Sequence, residues 1–155
     1  MQISIRPVTT DLEQRVSALR VADKQEHFIE SVEECLQEAA QLALWHPVAL
    51  AAQGELIGFA MYGRFPQEGG RVWLDRFLID RDYQGKGFGK AAFSAVLEHL
   101  VREYQCPEIY LSLYPENTVA MRMYEKFGFQ PNGETDINGE TVMVASCKFG
   151  SCLDR

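Results

Sequence analysis

The sequence has no surplus of positive charge: 15 lysines and arginines stand against 22 aspartates and glutamates, a net of −7. A chain that coats nucleic-acid phosphates shows a basic face, so this balance argues against nucleic-acid binding. It suits a cationic ligand, although an acidic surface by itself only keeps a protein soluble. Long apolar runs are also missing. The longest mostly apolar stretch, 42–52, is interrupted by His46 and Pro47 and is too short to span a bilayer, so no membrane partner is expected. Grouped metal ligands are absent as well. Cys35, Cys106, Cys147 and Cys152 form no CxxC pair, and His27, His46 and His99 are scattered, which disfavours zinc and leaves no metal to expect. Reduced thiols in a cytoplasmic protein are the simpler expectation. The first residues, MQISIRPVTT, lack the basic, apolar and small-residue blocks of a signal peptide. No repeat, low-complexity tract or linker divides the chain. Its 155 residues fit one domain, expected over 1–148, with a short tail at 149–155 that has no readable role.

Hydrophobic residues make up 46% of the chain and aromatics 11%, enough to fill a core. The pattern is mixed α/β. Ile3 to Val8 alternates like a strand, and Asp11 to Arg20 reads as a helix. Ser31 and Glu34 form an S-x-x-E capping box that opens a second helix, expected to run to about Leu44. His46 to Ala52 and Leu56 to Phe65 are strand-like around a turn at Gly54, and a loop at Gln67 to Gly70 leads into a strand from Arg71 to Asp80. Phe88 to Tyr104 carries an apolar face through Ala92, Val96, Leu100 and Val101. Ile109 to Tyr114 is a short buried strand, Asn117 to Phe127 a helix closed by Gly128, and two strands flank the Asn138-Gly139 turn. A strand–helix–strand unit implies parallel pairing of the fourth and fifth strands, within an otherwise antiparallel sheet.

The most informative segment is Gln84-Gly85-Lys86-Gly87-Phe88-Gly89-Lys90, between the fourth strand and the long helix. Alternating glycines let the backbone approach a ligand, and the amides of a helix N-terminus attract phosphate. Glycines in a tight strand–helix turn also occur without any ligand. Other phosphate loops fit worse. Ala91 follows Gly89-Lys90, so the hydroxyl of a Walker A loop is missing, and the G-x-G-x-G spacing is not that of a dinucleotide fingerprint.

Gln84-Gly85-Lys86-Gly87-Phe88-Gly89 resembles the Q/R-x-x-G-x-G/A signature of the GNAT acyl-CoA-dependent N-acetyltransferases. Asn117, followed by Ala120 through Phe129, resembles that family's second signature. More narrowly, Gly70 to Phe77, with Asn132-Gly133-Glu134 through Asn138-Gly139-Glu140, is similar to bacterial spermine/spermidine (diamine) acetyltransferases. The resemblance implies an α/β (α+β) fold of about seven mostly antiparallel strands and about four helices, splayed between the fourth and fifth strands. It implies acetyl-CoA as cosubstrate, its pantetheine arm pairing with Phe77, Leu78 and Ile79. The pyrophosphate would lie on Gln84, Gly85, Lys86, Gly87, Phe88, Gly89 and Lys90, and Asn117, Ala120 and Lys126 would face the cofactor's far side. Many relatives dimerise, so a homodimer is implied too.

The chemistry can be argued from requirements. An ammonium with a reference pKa of about 10.4 must lose a proton before attack. The oxyanion that follows needs a donor, which a fourth-strand amide could supply, and the departing thiolate benefits from an acid. Tyr124 matches the family's tyrosine acid; read alone, it is also an ordinary packed aromatic. Asp75 matches the acidic fourth-strand residue that related enzymes place near the amine, where it would bind the ammonium or relay its proton through water. A salt bridge to Arg71 or Arg76 is the other reading. Polyamine recognition needs spaced carboxylates and aromatic faces. Asp75, Glu134 and Glu30 are the leading substrate-binding candidates, with Glu33, Glu34, Asp136, Trp45, Tyr62 and Tyr110 behind them. The expected activity is acetyl transfer to a primary amine of a polyamine, by direct attack. An aminoglycoside, an amino acid, a protein lysine or N-terminus as acceptor, or a non-catalytic acyl-CoA-binding module, remain alternatives.

Overall fold

The structure is a computed structural model and describes residues 2–20 and 31–147; Glu30, His27 and Cys152 lie outside them. The chain runs β1 (Ile3–Pro7), α1 (Thr10–Ser17), α2 (Val32–Gln41), β2 (His46–Ala52), β3 (Glu55–Phe65), β4 (Arg71–Ile79), α3 (Phe88–Tyr104), β5 (Glu108–Leu113), α4 (Thr118–Lys126), β6 (Gln130–Thr135) and β7 (Thr141–Ser146). The strands form one seven-stranded sheet in the order β1-β2-β3-β4-β5-β7-β6. Every pairing is antiparallel except that of β4 with β5.

Period-two alternation divides the apolar side chains between the two faces of the sheet. On one face Leu50, Ile57 and Ala60 pack with Phe93, Val96, Leu97 and Leu100 of α3. On the other, Ala49, Phe59, Met61 and Leu78 meet Val16 of α1 and Val32 and Cys35 of α2. Phe59, Phe93 and Phe129 are among the largest fully buried side chains. Each such burial is worth roughly 1.5–3 kcal/mol relative to exposure.

Two helices are shorter than their apolar pattern suggests, for tertiary reasons. The first stops at Ser17, and Arg20 instead docks on the end of β4: its N–H donates to Asp80 Oδ1 (2.9 Å), and its carbonyl accepts from Arg81 (2.6 Å). The second stops at Gln41, where Leu42 turns extended, instead of continuing to Leu44. The Leu44 carbonyl lies against Gly63 of β3, and a Cβ there would sit 2.5 Å from that oxygen. Only glycine permits so close an approach.

Two features of β4 create the functional gap. Its pairing with β5 is brief, Val72 with Ile109 and Trp73 with Tyr110, after which the strands separate. At that point its register with β3 also slips: Tyr62 pairs with Leu74 and Met61 with Arg76, leaving Asp75 as an extra residue. A bulge of this kind bends the strand and re-aims the side chains beyond it.

Candidate functional site

The parted strands enclose a cavity of about 520 Å³. Leu74 to Ile79 of β4 form one wall, and Leu111, Ser112, Leu113 and Tyr114 form the other. Asn117, Ala120, Met123 and Tyr124 come from the α4 side. Gln84, Gly85 and Gly89 of the glycine loop also line the cavity, as do Asn138 and the acidic residues Glu34 and Glu140.

The glycine-loop end is built from backbone. Gly85 (φ 76°) and Gly87 (φ 86°) are left-handed, and a Cβ built on either meets nothing within 4 Å. There is thus room beside the main chain for a ligand group. Gly87 caps α3 with no side-chain hydrogen bond, and no acidic residue stands in the first turn. Ala91 makes the first helical bond, to Gly87 O (3.4 Å), so the preceding N–H groups have no acceptor within the helix. By contrast, α2 is closed by its full capping box, with Glu33 and Glu34 in its first turn. An open, acid-free helix start suits a pyrophosphate. The loop is anchored by Gln84, whose Nε2 donates to Ile79 O (2.9 Å).

Tyr124 contributes to the cavity wall while its ring stacks on Phe93, centroids 5.1 Å apart at 29°. Burial pushes its hydroxyl up to about 12, so it stays protonated at neutral pH and available as a donor. A thiolate released into the same apolar surroundings is disfavoured by the same desolvation, which favours passing the proton to sulfur.

Three carboxylates also line the cavity. Asp75 lines it and is held by the Arg76 guanidinium, which also reaches Glu38 Oε2 (3.5 Å). Glu34 borders the cavity, but its carboxylate accepts from Ser31 N (3.1 Å) and Ser31 Oγ (3.0 Å), and the Ser31 hydrogen bonds hold its pKa below the ordinary value. Glu140 is half-buried. Desolvation first, then its side-chain hydrogen bond and charge repulsion with Asp136, raise it to about 7, with Arg76 opposing and Asp75 adding to the shift.

Of the sequence-predicted residues, Asp75, Phe77, Leu78, Ile79, Gln84, Gly85, Gly89, Asn117, Ala120 and Tyr124 share the cavity lining. Lys86, Gly87, Phe88, Lys90, Lys126 and Glu134 are not part of it. Lys86 donates to Asp82 O (3.1 Å), and Phe88 packs edge-on against Tyr83, which leaves its amide for any ligand contact. Glu134 is engaged outside the cavity. It sits on the exposed strand β6 and binds Arg71 through both oxygens (2.8 Å each), which holds its pKa below the ordinary value. The secondary aromatics also lie elsewhere: Trp45 packs on Phe65, Tyr62 bonds His99 and Glu103, and Tyr110 lies under Arg71. Glu140 lines the cavity although it was not a predicted site residue, because a carboxylate after an Asn-Gly turn reads as solvated; its signals were the 138–140 resemblance and Asp136 four residues earlier.

Residues 12–129 match the model of the acetyltransferase (GNAT) family. Over 149 residues the chain is 48% identical to the spermine/spermidine N(1)-acetyltransferase of Bacillus subtilis strain 168, covering 93% of this chain and 98% of that protein. Among solved structures, the aminoglycoside acetyltransferase AAC(6')-Ib bound to coenzyme A superposes with a TM-score of 0.77 at 22% identity, covering 94% of this chain and 95% of that one. Spermidine N-acetyltransferase from Vibrio cholerae, bound to CoA and spermine, superposes at 0.68 with 21% identity, covering 94% and 95%. At such identities the structures speak for the fold alone, whereas the family match and the near full-length relative speak for descent. The chain belongs to the GNAT family of acetyltransferases.

Proposed function

We propose that the chain transfers the acetyl group of acetyl-CoA to a primary amine of a polyamine, spermine or spermidine, by direct attack in a ternary complex. The observation that carries this reading is the cavity's polarity. Main-chain amides and an open helix start serve an anion at the glycine loop, carboxylates supply counter-charge for an ammonium, and Tyr124 shares the same cavity. The 48% identical relative from Bacillus subtilis, a spermine/spermidine acetyltransferase, supports the same substrate class.

When bound, acetyl-CoA supplies the activated thioester. The amides of 85–90 would hold its pyrophosphate, and Phe77, Leu78 and Ile79 would border its pantetheine arm. A β4 amide at the gap donates to the oxyanion formed on attack. Tyr124 gives its proton to the departing sulfur. Asp75, steadied by Arg76, attracts the substrate ammonium into line with the thioester. Glu134 is engaged by Arg71 and has no substrate role in this reading. A cytoplasmic setting rests on the expectation of reduced thiols and a homodimer on the family resemblance, and sedimentation equilibrium tests the dimer.

The direct test is CoA release from acetyl-CoA with spermine, spermidine, putrescine, an aminoglycoside and a lysine peptide. Selective turnover of spermine and spermidine is expected. Turnover of only another amine overturns the polyamine assignment, and acetyl-CoA binding without turnover of any amine overturns the enzymatic reading.

A further inference from the structure

The substrate ammonium must surrender a proton, and three carboxylates line the cavity, Glu34, Asp75 and Glu140. Asp75 is held by the Arg76 guanidinium, so protonating it would sacrifice a charge-assisted hydrogen bond. An ion-paired carboxylate is a good anchor for a cation and a poor base.

Glu140 is placed differently. The five-residue turn 136–140 folds on itself: Asp136 Oδ1 accepts from the N–H groups of Asn138 and Glu140 (2.9 Å each), and Asp136 N donates to Glu140 O (3.0 Å). This fixed turn brings Glu140 and Asn138 to the cavity that Tyr124 also lines. Asp136 stands beside Glu140, since its Oδ1 accepts from the Glu140 N–H, and its charge opposes ionisation of the Glu140 carboxyl. The other charged neighbours are on β4, where Asp75 repels the Glu140 charge and Arg76 attracts it. Glu34 of α2 borders the same cavity with its carboxylate committed to Ser31.

We propose that Glu140 is the proton acceptor for the attacking amine, that Asp136 is the positioning residue that tunes it, and that Asp75 serves as anchor. The proposal rests on the polyamine acetyltransferase reading. In the step, Glu140 carboxylate takes one proton from the ammonium. The freed nitrogen lone pair forms the C–N bond at the thioester carbon. The C–S bond breaks, and Tyr124 protonates sulfur. The remaining excess proton on nitrogen restores the Tyr124 hydroxyl through solvent, and Glu140 loses its proton to water after product leaves. The balance is ammonium plus thioester giving amide, thiol and one released proton.

A base must be unprotonated to act, so kcat/KM for spermidine should rise with pH through a limb near 7, the range in which Glu140 titrates. Glu140→Gln keeps the size and removes the base. It should lower kcat/KM at neutral pH by about 100-fold and abolish that limb, with acetyl-CoA affinity unchanged. Asp136→Asn removes the neighbouring charge and should move the limb to lower pH, a shift that a purely structural role would not produce. If Glu140→Gln turns over spermidine with the wild-type limb intact, or if Asp136→Asn loses activity with the limb unmoved, the proposal is overturned while the polyamine reading stands. If the wild-type protein binds acetyl-CoA and turns over no polyamine, the underlying reading fails, and this proposal falls with it.

Discussion

The cavity residues proposed to meet the pyrophosphate, Gln84, Gly85 and Gly89, belong to one continuous segment. The acidic lining is different: Glu34 of α2, Asp75 of β4 and Glu140 of the β6–β7 turn come from distant parts of the chain and meet only on folding. The contrast has a chemical reason. A pyrophosphate is recognised by N–H groups common to every residue, so the requirement on sequence is mainly glycine where φ is positive, at Gly85 and Gly87. An ammonium needs anionic side chains at particular points in space, and many routes through sequence can deliver those. The first end is therefore written as a motif and the second as a placement.

Breaking the backbone end should have the largest effect. Gly87→Val puts a β-branched side chain at φ 86° and fills the open space beside the loop. It should abolish measurable acetyl-CoA binding in calorimetry while circular dichroism still reports a folded sheet. Normal binding would remove the loop from the phosphate role. Between the two ends, Tyr124→Phe removes only the hydroxyl and keeps the stack on Phe93. We expect kcat to fall by about 100-fold with acetyl-CoA affinity retained. Unchanged turnover at neutral pH would leave Tyr124 a packing residue.

Asp75→Asn probes the side-chain end. It should raise KM for spermidine by about tenfold, since a hydrogen bond to a charged group is worth roughly 1.5–3 kcal/mol, and leave acetyl-CoA affinity unaltered. A matching loss of acetyl-CoA affinity would show that the two ends are not separable. The smallest effect is expected from Glu134→Gln, which removes half of an exposed pair with Arg71. KM should stay within about twofold of wild type, because exposed ion pairs contribute little. A large rise in KM would return Glu134 to the substrate site.

The order of strands and helices was legible because each element carries a local signal: alternation in β1, the apolar runs of β2 and β3 around the Gly54 turn, the apolar face of α3, the capping box of α2. The ends of α1 and α2 were not. Arg20 leaves the helix to bind Asp80, and Leu44 leaves it to lie on Gly63, partners far away in sequence. Glu134 and Glu140 illustrate the same limit at the site. Both are carboxylates near one hairpin, yet one faces Arg71 on the surface and the other lines the cavity.

By itself the sequence determined the alternation of elements, the glycine loop at the start of α3 and the tyrosine on α4. All of these follow from local periodicity, backbone freedom and contiguous motif. Only the tertiary structure decided that β4 parts from β5 after Trp73, that the register slips at Asp75, and that Arg76 holds Asp75 while Glu140 lines the cavity. Those outcomes depend on which side chains meet across the sheet, and Coulomb forces and desolvation act through distance in space rather than along the chain.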